Sequence, residues 1–259
     1  MIDPLLQDLL WALAGNLALA FAAWLISLRH NNVGVVDFAW PLFMLMSFGI
    51  VAVRHHATDT ATIIIGCLAS LWALRLLWHL GVRAQGRSED RRYAEIRQRY
   101  GESFPWKSLL LIFGFQGIAA SVVSIPLTLS TVHGGPINFF QAVGVAVVLL
   151  GIALEALADR QLLQFQRSCP SPSGLLETGV WRYSRHPNYF GEFCVWWGFF
   201  IVAMPITGGV SIVSPLLMTY FLLRFTGIKR MEAGINARRP GYMDYARRTS
   251  AFFPRLPKN

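Results

Sequence analysis

Apolar residues run along this chain in long blocks, not in the narrow stripes of a water-soluble amphipathic helix. The blocks cover residues 5–28, 36–53, 61–82, 109–129, 138–158, 189–207 and 210–228. Crossing a bilayer core of roughly 30 Å takes about 20 residues of helix. The pattern therefore predicts an all-α, polytopic membrane protein with seven transmembrane helices. The second span is short, and the last two are joined through Gly208-Gly209. The fourth block carries Gly114 and Gln116 and reaches Pro126. No internal repeat is evident, so an inverted-repeat transporter gains no support.

Composition agrees. Hydrophobic residues make up 54% and charged ones 14%, against about 25% charged in a soluble domain. Mean hydropathy is +0.44. The net charge of +9 would suit nucleic acid, but its placement does not, because the cations sit between apolar blocks and at the C-terminal end. Twenty Lys/Arg fall on the side holding Arg29, residues 83–107, residues 160–185 and the tail after Lys229; only Arg54 falls on the other. By the positive-inside rule, the N-terminus lies outside and the C-terminus in the cytoplasm. Met1-Ile2-Asp3-Pro4 lacks a basic leader and the first block is long enough to span, so no cleavable signal peptide is expected. Cys67, Cys169 and Cys194 are far apart and imply neither a disulfide framework nor a metal site. The organisation expected is one domain: spans 1–3 on the substrate side (1–82), a cytoplasmic loop (83–108), and spans 4–7 with cofactor-binding loops and tail (109–259).

Charge inside a span is expensive and marks candidate chemistry. Asp37 opens the second span. Trp72, Arg75 and His79 share one face of the third. Glu155 and Asp159 are four apart on the fifth, Asn188 and Glu192 four apart on the sixth, and Arg224 lies near the end of the seventh. Mutual neutralisation would account for any single pair. Polar groups on five spans together suit a cavity for a large polar ligand better. Two donors converging on one oxygen would polarise a carbonyl, and Asp37 with His79 or Trp72 is the candidate pair.

The densest motif is Gly179-Val180-Trp181-Arg182-Tyr183-Ser184-Arg185-His186-Pro187-Asn188-Tyr189-Phe190-Gly191-Glu192. Pro187 suits the first turn of a helix, and Arg182 and Arg185 stand just before that helix N-terminus, a favourable place for an anion. This stretch resembles the C-terminal half of the steroid 5-alpha-reductase family, its bacterial members in particular. Val36-Asp37-Phe38-Ala39-Trp40, Trp72-Ala73-Leu74-Arg75-Leu76, Glu89-Asp90-Arg91-Arg92-Tyr93 and the ending from Tyr242 to Pro254 extend the likeness over most of the chain after about residue 33.

The resemblance implies a seven-helix NADPH-dependent oxidoreductase whose cofactor site faces the cytoplasm. Hydride would pass to the β-carbon of a lipophilic enone, typically a 3-oxo-4-ene steroid, entering from the membrane. It places cofactor contacts at Glu155, Asp159, Gln166, Arg167, Arg182, Tyr183, Asn188, Glu192 and Arg224. It adds Arg75 with Arg83 or Arg87. The reacting end departs from the eukaryotic steroid reductases: an Asp stands where they have Glu, and their Tyr on the third span is Trp72 here. There is no GxGxxG loop, so no Rossmann domain is expected. Membrane lipid, no nucleic acid, a monomeric state and a bacterial inner membrane complete the expectation. The Arg-His-Pro core is shared with the isoprenylcysteine carboxyl methyltransferase family, so an S-adenosylmethionine-dependent membrane methyltransferase is the alternative.

Overall fold

In a computed structural model the chain is described at residues 3–85, 89–131, 137–168, 174–225, 227–232, 235, 239 and 241–258. Among these residues every regular element is helical, and one isolated bridge joins Ser184 to Ser250. Six helical stretches are long and apolar enough to cross a membrane, which makes the chain an integral multi-pass membrane protein. They are α1 (Pro4–His30), α2 (Val35–Arg54), α3 (Thr60–Ala84), a composite stretch over Arg92–Val123, α8 (Phe139–Ser168) and α9 (Pro187–Thr207). The seventh expected span is a shorter apolar helix, Val210–Phe225. It contains α10 (Val213–Tyr220) and a π-helical turn, Phe221–Phe225.

The composite stretch differs most from expectation. Residues expected to form a loop are helical, as α4 (Arg91–Tyr100) and α5 (Phe104–Ser108). Asp90 accounts for the start: its carboxylate accepts from the Arg92 N–H at 2.9 Å and caps α4. A π-helical segment, Leu109–Gly114, leads into α6 (Phe115–Val123), and α7 (Ile125–Leu129) follows beyond Ser124. Pro126, whose ring suits a first helical turn, stands at its start. The short helices α11 (Ile228–Glu232) and α12 (Tyr242–Arg248) lie in the C-terminal part.

The chain forms two compact units, residues 1–141 with 202–214 and residues 142–201 with 215–259. In the first, α1 packs against α2 and α6 with an inside-out pattern. Its buried face is Asp8, Ala12, Asn16, Ala20, Ala23, Trp24 and Ser27, small or polar at helical spacing except for Trp24. Leu6, Leu10, Trp11, Leu17, Phe21 and Leu25 are exposed. A helix in lipid has no reason to hide leucine, and small residues bring helix backbones close. The Asn16 amide donates to Ser47 Oγ at 2.8 Å and to Ser121 Oγ at 2.9 Å, tying α1 to α2 and α6.

In the second unit α8 and the first part of α9 meet through glycines. A Cβ on Gly151 would come within 2.7 Å of the Gly191 carbonyl oxygen, and one on Gly198 within 2.8 Å of the Val148 nitrogen. Only backbone this close lets short polar side chains on facing helices meet.

Candidate functional site

Both units hold polar clusters. In the first, the loop after α1 fixes the start of α2. The Glu89 carboxylate accepts from the Val33 N–H at 2.8 Å and from the Arg97 guanidinium at 2.7 and 3.0 Å, and Arg97 also donates to Asn31 Oδ1 at 2.9 Å. Burial alone would raise the Glu89 pKa, but these donors outweigh it and hold the carboxyl below the usual range. The bracing sets α2 against α4.

Asp37, in the first turn of α2, is half-buried and reaches α4. The Tyr93 hydroxyl donates to Asp37 Oδ1 at 2.7 Å, and an Arg92 guanidinium nitrogen lies 3.9 Å from Oδ2. Gln116 of α6 also hydrogen-bonds the Tyr93 side chain. Arg92 is held in turn by Asp90 at 3.0 Å, and Arg83, exposed at the end of α3, stands 4.0 Å from the same Asp90. The result is a chain of alternating charge that ends on a carboxyl–phenol pair. Trp72 is fully buried in α3, while Arg75 and His79, on the same face, are half-buried.

In addition to the expected candidates Trp72 and His79, α4 brings Tyr93 and Arg92 to Asp37, a contact not read from the sequence. A signal for it was present: Asp90 is a good helix N-cap, and the ten residues after it pair Arg with Tyr and Ile at helical spacing.

In the second unit, Glu155 and Asp159 of α8 are buried, and the Asn188 amide of α9 donates to Asp159 Oδ1 at 3.3 Å. A Cβ on Gly191 would come within 2.5 Å of Glu155 Cγ, so Gly191 is what lets this carboxyl side chain pack against α9. Glu192 accepts from the Trp196 indole N–H at 2.9 Å. Three of the expected cofactor contacts, Glu155, Asp159 and Asn188, therefore meet between α8 and α9, and Glu192 lies one turn along α9 from Asn188. Gln166 and Arg167 near the end of α8, Arg182 and Tyr183 before α9, and Arg224 are exposed. Arg182 lines an open basin of about 470 Å3 with Arg248, Lys258 and Glu177. Arg87 and Cys169 lie outside the described residues.

The Arg-His-Pro motif performs a structural task not read from the sequence. Arg185 pairs with Glu232 at 2.8 and 3.0 Å and donates to the carbonyls of Ala246 and Thr249, while His186 Nε2 lies 3.0 Å from Glu232. Burial works to raise the Glu232 pKa, but hydrogen bonds from His186, Arg185 and Tyr242 overcome it and hold the carboxyl far below its usual range. Burial and that carboxylate push the Tyr242 phenol up. Among the described residues, no group of three or more His, Cys, Asp or Glu is placed to hold a metal ion.

Apolar helices with ionisable clusters at their ends define a multi-pass membrane protein with candidate polar-ligand chemistry. Residues 23–249 match the family described as "Protein of unknown function (DUF1295)", and the chain belongs to that family, which includes steroid 5-alpha-reductase-like proteins. It is similar to "Uncharacterized protein C594.04c" of Schizosaccharomyces pombe, 24% identical over 266 residues that cover 90% of this chain and 76% of that protein. It is also similar to the "Nickel-cobalt-cadmium resistance protein NccN" of Alcaligenes xylosoxydans xylosoxydans, 32% identical over 143 residues, 54% of this chain and 64% of the relative. No solved structure matches.

Proposed function

We propose that this protein is a membrane-embedded reductase that uses NADPH to saturate the carbon–carbon double bond of a lipophilic enone, typically a 3-oxo-4-ene steroid or similar lipid. The observation that carries the reading is the hydrogen bond from Tyr93 to Asp37. A phenol and a carboxyl paired at the end of a membrane helix are suited to grip a carbonyl oxygen. With an enone in reach, the Tyr93 O–H turns from the carboxyl to the carbonyl, while Asp37, Arg92 and Gln116 hold the ring in place. Negative charge develops on that oxygen as the β-carbon is reduced, and one well-placed donor stabilises it by about 3–4 kcal/mol. Solvent or a side chain then protonates the α-carbon.

The side chains of the second unit suit the cofactor. The Asn188 amide matches a carboxamide, the buried Glu155 and Asp159 can accept from hydroxyls, and the basin with Arg182, Arg248 and Lys258 suits phosphate. When bound, NADPH supplies the hydride, and the protein supplies position and electrostatics. The remaining proposed contacts are Arg75, Arg83, Gln166, Arg167, Tyr183, Glu192 and Arg224. The Lys/Arg bias supports a cytoplasmic cofactor side in a bacterial inner membrane, with the N-terminus outside and seven crossings, the last made by the shorter Val210–Phe225 helix. Substrate enters sideways from the lipid, and the working unit is a monomer. Metal resistance is what its name says of NccN alone.

Thermal unfolding of the detergent-purified protein separates this reading from the methyltransferase one. NADPH should raise the midpoint and S-adenosylmethionine should not, since a ligand that binds only the folded state stabilises it. The opposite pattern rejects the reductase.

A further inference from the structure

The C-terminal tail folds back on the turn that precedes α9. The Arg185 N–H donates to the Ser250 carbonyl at 2.9 Å and the Arg255 N–H to the Tyr183 carbonyl at 3.0 Å. The Ser184 hydroxyl donates to the Phe252 carbonyl at 2.8 Å. Phe252 and Phe253 set their rings edge-on against Phe190 and Phe193. Those partners lie in the first two turns of α9, a helix apolar enough to span. With about 1.5 Å of rise per residue, the tail is held within a few ångströms of the level at which α9 starts.

The outward face of this tail is cationic. Arg247, Arg248, Arg255 and Lys258 line an open basin of about 270 Å3 whose walls include no carboxylate. Arg185 adds charge at its base, with its guanidinium already engaged by Glu232 and backbone carbonyls. Arg248 also pairs with Glu177 at 3.0 Å and Arg247 with Asp244 at 3.5 Å. Leu256 on the wall is 83% exposed, and the neighbouring Phe253 is 50% exposed. The basin containing Arg182 shares Arg248 and Lys258, whereas Arg247, Arg255 and Leu256 line only the acid-free one.

We propose that the acid-free basin binds the phosphodiester headgroup of an anionic phospholipid. Guanidinium groups match phosphate oxygens in geometry and charge. A soluble anion would have no use for Leu256 and Phe253 beside the cations. A lipid does, because its glycerol and acyl chain continue from the phosphate along apolar side chains into the bilayer. The basin shares Arg248 and Lys258 with the one proposed for the cofactor phosphate, but Arg247, Arg255 and Leu256 are its own, and it would serve to anchor the tail over the end of α9.

The test uses the full-length protein in neutral detergent, with phosphatidylglycerol and phosphatidylcholine as probes and native mass spectrometry counting retained lipid. The wild type should retain phosphatidylglycerol about tenfold more strongly than phosphatidylcholine. Arg247→Gln with Arg255→Gln should erase most of that preference while leaving the unfolding midpoint unchanged, since both side chains are exposed. Arg29→Gln, an exposed charge at the end of α1, should leave the preference intact. Equal retention of the two lipids by the wild type, or an unchanged preference in the double variant, overturns the proposal. So does displacement of phosphatidylglycerol by inorganic pyrophosphate, which would assign the basin to a soluble phosphate compound.

Discussion

The Tyr93 hydroxyl donates to Asp37 Oδ1 across 2.7 Å, joining the first turn of α2 to the first turn of α4. The two are 56 residues apart in sequence, and Arg92 and Gln116 converge on the pair. If the pair holds a substrate carbonyl, Tyr93→Phe should lower kcat for enone reduction by about 10²–10³-fold, the usual effect of deleting one preorganised donor. Asp37→Asn keeps the shape and should cost less. Both should leave the affinity for NADPH within about twofold, a split that steady-state kinetics and cofactor titration can read.

Glu192 and Arg224 belong to the second unit and carry a different prediction. Glu192→Ala and Arg224→Ala should each raise the NADPH Kd by about tenfold, a typical loss for one polar contact. Calorimetric titration of the purified variants checks this.

The glycine contacts between α8 and α9 predict a packing effect. Gly191→Ala would thrust a methyl group to within 2.5 Å of Glu155 Cγ and 2.9 Å of the Gly151 carbonyl oxygen. Overpacking of this kind costs about 1–3 kcal/mol. Thermal unfolding in detergent should show a clear drop for Gly191→Ala, whereas Gly49→Ala, where a Cβ meets nothing within 4 Å, should be nearly neutral.

The seven apolar blocks were legible because lipid demands length and apolarity, and five of the spanning helices fall close to the blocks that predict them. The seventh block holds a shorter apolar helix, Val210–Phe225, whose final turn, Phe221–Phe225, is π-helical. The charged stretch after Arg83 read as a loop because its mean polarity masks an N-cap and an apolar stripe, so Tyr93 escaped notice as a partner of Asp37. Asp159 and Asn188 were legible as site candidates, each sitting in a span where charge or amide is costly. Glu232 was not, because its role comes from a fold-back that brings Arg185 and His186 to it over more than forty residues of chain.

The Glu232 clamp predicts a pH dependence. Its carboxyl is held below its unfolded value, so the stability it contributes is complete above the ordinary carboxylate pKa and is lost as acid protonates it. Glu89 and Asp90, also held low, act in the same direction. The unfolding midpoint should therefore fall as pH drops below about 4. Glu232→Gln should begin lower at neutral pH and show a shallower acid decline, and parallel curves for the two proteins would remove Glu232 from the account.

The central claim is tested most directly by incubating the full-length protein in lipid nanodiscs with NADPH and a 3-oxo-4-ene steroid and resolving the products by mass spectrometry. The account predicts a product two hydrogens heavier than the substrate, formed only with NADPH present and lost in Tyr93→Phe. Contradiction would be an unchanged steroid and unconsumed NADPH across a panel of lipophilic enones, or a product whose yield ignores the Tyr93 substitution.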